Sequence, residues 1–117
     1  MKNILAIDDD KNITFLLEKY FTAVGHRIVV TNNPGDGLNE LDNGNSFDVV
    51  ITDISMPGLD GNELASLIRN KYKKDIPIIA ITGSPEKEIQ KDLFNNILYK
   101  PVKLNEIKEI IDSHNSF

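Results

Sequence analysis

The sequence predicts a doubly wound α/β domain, a (βα)₅ arrangement in which five parallel β-strands alternate with five helices. Short apolar segments rich in β-branched residues recur along the chain, and segments with apolar residues every three or four positions lie between them. No internal repeat or low-complexity linker interrupts the alternation. This pattern implies a parallel sheet with right-handed crossovers and helices on both of its faces.

The five predicted strands are the short apolar runs. They cover residues 4–7, 28–31, 49–51, 77–82 and 97–99. The run at 49–51 is uniformly apolar rather than alternating, which is typical of a strand covered on both faces in the middle of a parallel sheet. Pro77 is compatible with the fourth strand because it occupies the first position.

The first and last predicted helices have the clearest apolar periodicity. Asp10 is expected to be the N-cap of the first helix rather than a metal ligand, and Gly25 is the expected residue after its C-terminus. The stripe of this helix consists of Ile13, Leu16, Leu17, Tyr20, Phe21 and Val24. The stripe of the last helix consists of Leu104, Ile107, Ile110 and Ile111. Each stripe predicts a helix with one face packed on the sheet.

Three further helices are predicted from caps and shorter stripes. Asn33 as N-cap and Pro34 at the first position begin the second helix, whose inner face carries two leucines. The third helix has the stripe Leu64, Leu67, Ile68 and Tyr72 and ends at Lys73 and Lys74. Ser84 as N-cap, Pro85 at the first position and Glu86 in the first turn predict a short fourth helix.

Composition restricts the class of protein. A chain of 117 residues allows one domain, 1–117, with no room for a second. The net charge of −5 and the pI near 4.9 argue against a nucleic-acid surface. There is no cysteine, and the apolar N-terminal run is too short for a signal peptide or a membrane span. The sequence therefore predicts a cytoplasmic protein that does not contact a membrane.

Polar side chains follow four of the five predicted strands. Asp8 and Asp9 follow the first, Asp53 the third, Thr82 ends the fourth, and Lys100 follows the fifth. Because the carboxyl ends of parallel strands meet at one edge of a sheet, these side chains are expected to share a pocket.

This set of residues predicts phosphoryl chemistry. Carboxylates about 4 Å apart repel by roughly 4 kcal/mol per pair at an effective dielectric of about 20, so a cation should compensate. Mg²⁺ fits because it binds one or two carboxylates and leaves positions for phosphate oxygens. Asp53 would then attack phosphorus as an already ionised nucleophile, with Lys100 and Thr82 as partners of the phosphoryl oxygens.

Taken together, these motifs resemble the receiver domain of two-component response regulators. They are Asp8-Asp9, Asp53 followed by Met56-Pro57-Gly58-Leu59-Asp60-Gly61, Thr82-Gly83, and Lys100-Pro101. The resemblance covers essentially the whole chain. It implies a flavodoxin-like fold with strand order 2-1-3-4-5.

The resemblance also implies roles and partners. Asp53 would be the phosphoacceptor, with Thr82 and Lys100 on the phosphoryl group. Mg²⁺ would be held by Asp8, Asp9, Asp53 and the main-chain carbonyl of Ser55. A histidine kinase or histidine phosphotransfer protein would donate the phosphoryl group, and the domain would catalyse its own phosphorylation and dephosphorylation. An unidentified downstream protein would read a surface around the fourth helix, the fifth strand and the fifth helix.

Plainer interpretations of the same residues stay open at this point. Asp8 and Asp9 are also compatible with a solvated acidic turn, and Thr82 with a hydroxyl that bonds the local main chain. Lys100 is compatible with an ordinary exposed cation. His26 and His114 are unpaired in the sequence and are expected at the surface, with neither as a phosphoacceptor.

Two features depart from the family pattern. Ile97 occupies the position where the family has Tyr or Phe, and the nearby aromatic residue is Tyr99. The segment between Thr82 and Lys100 is also short for the family. We therefore expect activation to shift or order residues 85–96 rather than to rotate a buried aromatic ring.

Two rival functions remain. One is a pseudo-receiver that acts as a docking module without phosphorylation. The other is a haloacid-dehalogenase-like phosphatase that would use Asp8 and Asp10, although the chain is short for that fold and Asp53 would have no role. The start at Met1 and the polar tail at 112–116 indicate a stand-alone regulator.

Overall fold

A computed structural model of the chain describes residues 1–73, 75–85 and 88–113. The strands are β1 (Asn3–Ile7), β2 (Arg27–Thr31), β3 (Val49–Thr52), β4 (Ile78–Thr82) and β5 (Asn96–Tyr99). All pair in parallel in the order β2-β1-β3-β4-β5. The α-helices are α1 (Lys11–Ala23), α2 (Pro34–Asp42), α3 (Gly61–Leu67) and α4 (Leu104–Ser113). The predicted fold class and strand order are confirmed.

The position of each strand in the sheet explains its sequence. Every residue of β3 and β4 is buried, and β1 is buried from its second residue onward. The edge strands β2 and β5 are mostly half-exposed. The uniformly apolar runs therefore form the middle of the sheet, where helices cover both faces.

The core has two layers, one on each face of the sheet. Successive strand residues point to opposite faces, so Ile4 faces one layer and Leu5 the other. The first layer packs strand residues against α1 and α4, including Leu17, Phe21, Ile107 and Ile111. The second packs strand residues against the third helix, including Leu64, Ala65 and Ile68.

The predicted helix ends are largely confirmed. Asp10 accepts a hydrogen bond from the amide of Asn12 at 2.9 Å and caps α1, which is followed by Gly25 at φ +92°. Asn33 accepts from the amide of Asp36 at 2.8 Å and caps α2. These side chains satisfy main-chain donors that have no partner inside the helix.

Some apolar positions of the predicted stripes face outward. Leu16 is 53% exposed, Val24 is 38% exposed and Leu67 is 39% exposed. Each helix packs against one face of the sheet only. The apolar side chains at the margins of its stripe therefore do not reach the sheet. After α3 the chain continues in a π-helical turn, Ile68–Tyr72, so the predicted third helix is α-helical only in its first part.

The predicted fourth helix is wrong for the described residues between β4 and β5. They contain no α-helix: Glu88 is in 3₁₀ conformation, with its amide donating to the Pro85 carbonyl at 2.9 Å, and Lys91–Leu93 form a further 3₁₀ turn. Lys74, Glu86 and residues 114–116, which entered the predictions above, lie outside the described residues.

Side chains of α3 and of the π-helical turn after it, together called the third helical region, bond main-chain groups of residues 88–95 that an α-helix would have paired internally. Asn62 donates to the carbonyl of Glu88 at 2.7 Å, and Arg69 donates to the carbonyl of Leu93 at 2.9 Å. Asn95 exchanges hydrogen bonds with Ile78 at the start of β4. Residues 88–95, the 88–95 segment, are therefore an irregular stretch that is hydrogen-bonded to α3 and to the π-helical turn after it.

Candidate functional site

Strand register brings the predicted site residues to one edge of the sheet. Ile7 pairs with Thr52, so Asp8 and Asp53 follow neighbouring strands at the same level. The Asp53 amide donates to the Ile7 carbonyl at 3.0 Å, which extends the pairing of β1 and β3 to the acidic residues. On the other side, the Lys100 amide donates to the Thr82 carbonyl at 2.9 Å.

Lys100 links the two acidic residues through its side chain. Its Nζ lies 3.1 Å from Oδ2 of Asp8 and 3.2 Å from Oδ2 of Asp53. Asp8 is fully buried and Asp53 is 4% exposed. The interpretations of Asp8 as a solvated turn and of Lys100 as an ordinary exposed cation are therefore wrong.

Burial and charge in the Asp8–Asp53–Lys100 triad shift the pKa values of Asp8 and Lys100. Burial raises the pKa of Asp8 above its ordinary value, and the charge of Asp53 adds to the effect. The Asp10 amide, 2.9 Å from Oδ1 of Asp8, and Lys100 lower the pKa of Asp8 without reversing the shift. Burial alone would lower the pKa of Lys100, but the two carboxylates outweigh burial and raise it. A further cation would relieve the remaining repulsion between the acids.

The acidic residues fit a divalent cation. Asp8, Asp9 and Asp53 each place a carboxylate oxygen within 4.8 Å of the others. Oδ2 of Asp8 is buried, and no described group donates it a hydrogen bond of good geometry although Lys100 Nζ is close. Hard oxygen ligands with an unsatisfied buried carboxylate oxygen are the chemistry that Mg²⁺ prefers. Asp10 instead caps α1.

Asp53 opens onto a cleft. The cleft is lined by Asp53, Ser55, Gly83, Ser84, Pro85, Glu88 and Lys100. Oδ1 of Asp53 accepts from the amide of Ile54 at 2.8 Å, so the main chain fixes one carboxylate oxygen and Lys100 contacts the other. Ser55, the expected source of a carbonyl ligand, is exposed at the same cleft.

Thr82 has the local role that the sequence left open. It is fully buried, and its Oγ1 accepts from the amide of Ser84 at 2.9 Å. The hydroxyl proton remains available for a second partner, because a hydroxyl both accepts and donates. Contact with a phosphoryl group is therefore compatible with this hydrogen bond.

Two residues that shape the site, Gly61 and Glu88, were given no role by the sequence. A Cβ on Gly61 would collide with the main-chain carbonyl of Asp53 and lie 2.8 Å from the Cα of Ile54, so the first residue of α3 is packed directly under the acceptor. The Asp-Gly pair at 60–61 was a usable signal for this helix start. Glu88, in the region where the fourth helix was predicted, also lines the cleft, and no sequence pattern indicated it.

His26 is not the surface residue that the sequence suggested. Its side chain is 10% exposed, Nδ1 accepts from the amide of Lys2 at 3.0 Å, and Nε2 lies 3.3 Å from Oδ1 of Asp112. His26 thus joins the N-terminus to α4, while His114 lies outside the described residues. Within the described ranges, no helix is both long and apolar enough to span a bilayer.

The chain belongs to the response regulator receiver domain family, whose sequence model matches residues 4–112. It is 33% identical over 112 residues to two-component response regulator ARR12 of Arabidopsis thaliana, covering 92% of this chain and 18% of that protein. It is 32% identical over 121 residues to hybrid signal transduction histidine kinase L of Dictyostelium discoideum, covering 95% of this chain and 7% of that protein. The chain thus spans less than a fifth of these relatives.

Similarity to solved structures supports the same family. The response regulator TrrA of Thermotoga maritima, solved in complex with Mg²⁺-BeF, is 33% identical and superposes with a TM-score of 0.84. The match covers 96% of this chain and 97% of that one. Membership of the family places the chain in two-component signalling, and the phosphatase interpretation is left without support.

Proposed function

We propose that Asp53 accepts a phosphoryl group from a phosphohistidine of a partner protein. The observation that carries this proposal is the geometry of Asp53: one oxygen is held by the amide of Ile54, the other by Lys100, and the carboxylate faces an open cleft. An Asp53 oxygen attacks phosphorus, the bond from phosphorus to the imidazole nitrogen breaks, and the electron pair stays on that nitrogen.

The other site residues stabilise charge as it develops. Lys100 moves from a carboxylate pair to the phosphoryl oxygens, which are acceptors of the same kind. The Thr82 hydroxyl would donate a hydrogen bond to the phosphoryl group. Asp8, Asp9, Asp53 and the carbonyl of Ser55 would hold Mg²⁺, which supplies the positive charge that offsets the incoming phosphoryl oxygens.

The same geometry supports slow self-catalysed turnover. Asp53 is buried at the bottom of an exposed cleft, so water reaches the phosphoryl group from the open side. Attack of water on phosphorus releases phosphate and restores the carboxylate. The domain, residues 1–117, would act as one unit that catalyses its own phosphorylation and dephosphorylation.

The partners follow from this chemistry. A histidine kinase or a histidine phosphotransfer protein supplies the phosphoryl group, in keeping with a relative named as a hybrid signal transduction histidine kinase. A downstream protein, whose identity the chemistry does not specify, reads the change. The surface available for this is built from the 88–95 segment, β5 and α4, where the 88–95 segment takes the place of the predicted fourth helix and α4 is the predicted fifth helix.

A continuous apolar path joins Asp53 to this surface. Ile54, whose amide contacts the acceptor, is buried in a cluster with Ala80 and Ile89, and Phe94 and Ile97 pack against it. A change in the Asp53 hydrogen bond is thereby passed to the 88–95 segment. Coupling of this kind is typically about 1–3 kcal/mol.

An aromatic switch is a poorer explanation for this chain. Ile97 is β-branched, so it has few χ1 options and no hydroxyl to exchange partners. Tyr99 is 48% exposed, so its ring is not seated in the core in this state. We therefore assign the response to a shift or ordering of residues 85–96.

Removal of the acceptor tests the central step. With Mg²⁺ and a small-molecule phosphodonor, the wild-type chain should gain one phosphoryl group by intact mass, and Asp53→Asn should gain none. The amide is nearly isosteric but is not a nucleophile, so circular dichroism should be unchanged. Asp36→Asn, at an exposed carboxylate on α2, is the matched control and should label as wild type.

Two outcomes would overturn the proposal. Stoichiometric labelling of Asp53→Asn would move the acceptor to another residue. A folded wild-type chain that never labels with any donor would support the docking module that works without phosphorylation.

A further inference from the structure

Glu88 is an acidic residue at the cleft to which the proposed function gives no role. It lines the cleft together with Asp53 and Lys100, and it also lines the adjoining recess with Met56 and Asp60. Glu88 is exposed there, so it adds negative charge to the open side of Asp53, from which a phosphoryl donor would approach.

Asn62 holds this part of the chain in place. It is a buried polar residue of α3, 6% exposed, and both ends of its amide are used. Nδ2 donates to the carbonyl of Glu88 at 2.7 Å, and Oδ1 accepts from the amide of Gln90 at 2.9 Å. Between these two bonds the side chain of Ile89 is buried in the cluster with Ile54. Glu88, Ile89 and Gln90 are thus each held by a hydrogen bond or by burial, and Glu88 is kept at the cleft.

We propose that Glu88 determines donor specificity in the phosphoryl transfer proposed above, on which this inference rests, and that Asn62 is its positioning residue. A carboxylate at the entrance repels a dianionic donor such as an acyl phosphate more than a phosphoramidate, whose leaving nitrogen is cationic. The same charge attracts a divalent cation at the neighbouring acids. The cleft would therefore favour nitrogen–phosphorus donors over acyl phosphates.

The expected size follows from the exposure of Glu88. Exposed charge pairs contribute about 0.2–1 kcal/mol, which corresponds to a factor of about 1.5–5 in a rate or binding constant. Such an effect is screened by salt, because the Debye length falls from about 10 Å at 0.1 M to about 3 Å at 1 M. A salt-dependent effect that differs between donors is a signature that loss of structure would not give.

The test compares two donors at saturating Mg²⁺. Rate constants for labelling of Asp53 by acetyl phosphate and by phosphoramidate are measured for wild type, Glu88→Gln, Asn62→Ala and the double variant. Glu88→Gln should raise the acetyl phosphate to phosphoramidate ratio by about 1.5–5-fold in low salt and leave it unchanged in 1 M salt. Asn62→Ala should shift the ratio in the same direction, and the double variant should equal Glu88→Gln.

The controls separate this proposal from the proposed function. Glu109→Gln, at an exposed carboxylate on α4, should leave the ratio unchanged. An unchanged ratio in Glu88→Gln, or a change that persists in 1 M salt, would overturn the role of Glu88 while labelling of Asp53 stands. An additive double variant would remove the positioning role of Asn62.

A second readout does not depend on labelling. Titration calorimetry with Mg²⁺ alone should give an affinity about 1.5–5-fold weaker for Glu88→Gln than for wild type at low salt, and the same affinity for Glu109→Gln. Equal Mg²⁺ affinities for wild type and Glu88→Gln would contradict the proposal. If no donor labels Asp53, the proposed function and this inference fail together.

Discussion

The Asp8–Asp53–Lys100 triad and the 88–95 segment are neighbours that are stabilised in different ways. The triad follows strands of a sheet whose middle is fully buried, and strand register brings its residues to one edge. The 88–95 segment is in 3₁₀ conformation at Glu88 and at Lys91–Leu93, and it is held by hydrogen bonds from the side chains of Asn62 and Arg69. The chemistry is thus held by buried strands, while the proposed signalling element has no strand or α-helix of its own and is held by a few hydrogen bonds and by the packing of Ile89, Leu93 and Phe94.

This difference explains why the two regions would respond differently to phosphorylation. Regions with few buried apolar contacts and few internal hydrogen bonds open at lower free energy than core strands. A change of about 1–3 kcal/mol at Asp53 is too small to rearrange β3 but is comparable to the bonds that hold the 88–95 segment.

Arg69→Ala should give the largest loss of stability and should loosen the 88–95 segment selectively. Arg69 donates to the carbonyl of Leu93 at 2.9 Å, the carbonyl of Ile76 at 2.9 Å and Oδ1 of Asn95 at 3.0 Å. Hydrogen bonds to a charged donor contribute about 1.5–3 kcal/mol each and are not additive, so we expect a loss of about 2–4 kcal/mol in urea unfolding.

Arg27→Ala, at an exposed arginine of β2, is the control and should change stability by less than about 0.5 kcal/mol. Arg69→Ala should still label at Asp53 below its melting temperature, because the triad is built from other elements. Loss of labelling in the folded variant would break the contrast between the two regions.

Gly61→Ala should disturb the triad rather than the segment. The new Cβ would collide with the Asp53 carbonyl and lie 2.8 Å from the Cα of Ile54, both main-chain atoms that cannot rotate away. Overpacking of this kind costs about 1–3 kcal/mol, and a displaced Asp53 should label more slowly. Stability and labelling rate are measured on the same preparation.

Gly35→Ala provides the comparison within a helix. There a Cβ meets only the side-chain oxygen of Asn33 at 3.3 Å, and alanine is about 1 kcal/mol better than glycine in a helix. Equal behaviour of the two variants in stability and labelling would show that the close packing of Gly61 has no role.

Mg²⁺ should raise the melting temperature by a few degrees. Binding to the folded chain alone stabilises it by about 1.4 kcal/mol at ten times the dissociation constant, or about 4–8 °C for a domain of this size. Asp9→Ala should remove most of the rise, since Asp9 belongs to the acidic cluster but is exposed and contributes little to the core.

The neighbouring Asp10→Ala is the matched control for the metal site. It should lower stability by about 0.5–2 kcal/mol through loss of the α1 cap, yet keep the rise with Mg²⁺. A rise that survives Asp9→Ala would place the cation elsewhere.

The sequence was sufficient for the triad because its position depends on local patterns. The apolar runs before Asp8 and Asp53 mark strand ends, and parallel pairing then brings distant residues to one edge. The caps at Asp10 and Asn33 were also predictable, since each bonds an amide two or three residues away. Local signals and the final fold agree at these positions.

The 88–95 segment was not predictable for the opposite reason. Ser84 and Pro85 favour a helix locally, but Asn62 and Arg69 compete for the main-chain groups from more than 20 residues away in sequence. Tertiary contacts then outweigh local propensity, which is weak. The partly buried position of His26 was not predictable for the same reason, because its partner Asp112 is 86 residues away in sequence.

Backbone amide shifts with and without beryllofluoride, a mimic of the phosphoryl group, test the central claim most directly. Spectra are recorded in saturating Mg²⁺ on the wild-type chain, with Asp53→Asn as the control that should not respond. We expect large shifts and altered hydrogen exchange in the 88–95 segment, with β1 and β3 changed only next to Asp53. An unperturbed segment combined with a reoriented Tyr99 ring would contradict the account and assign the switch to the aromatic residue.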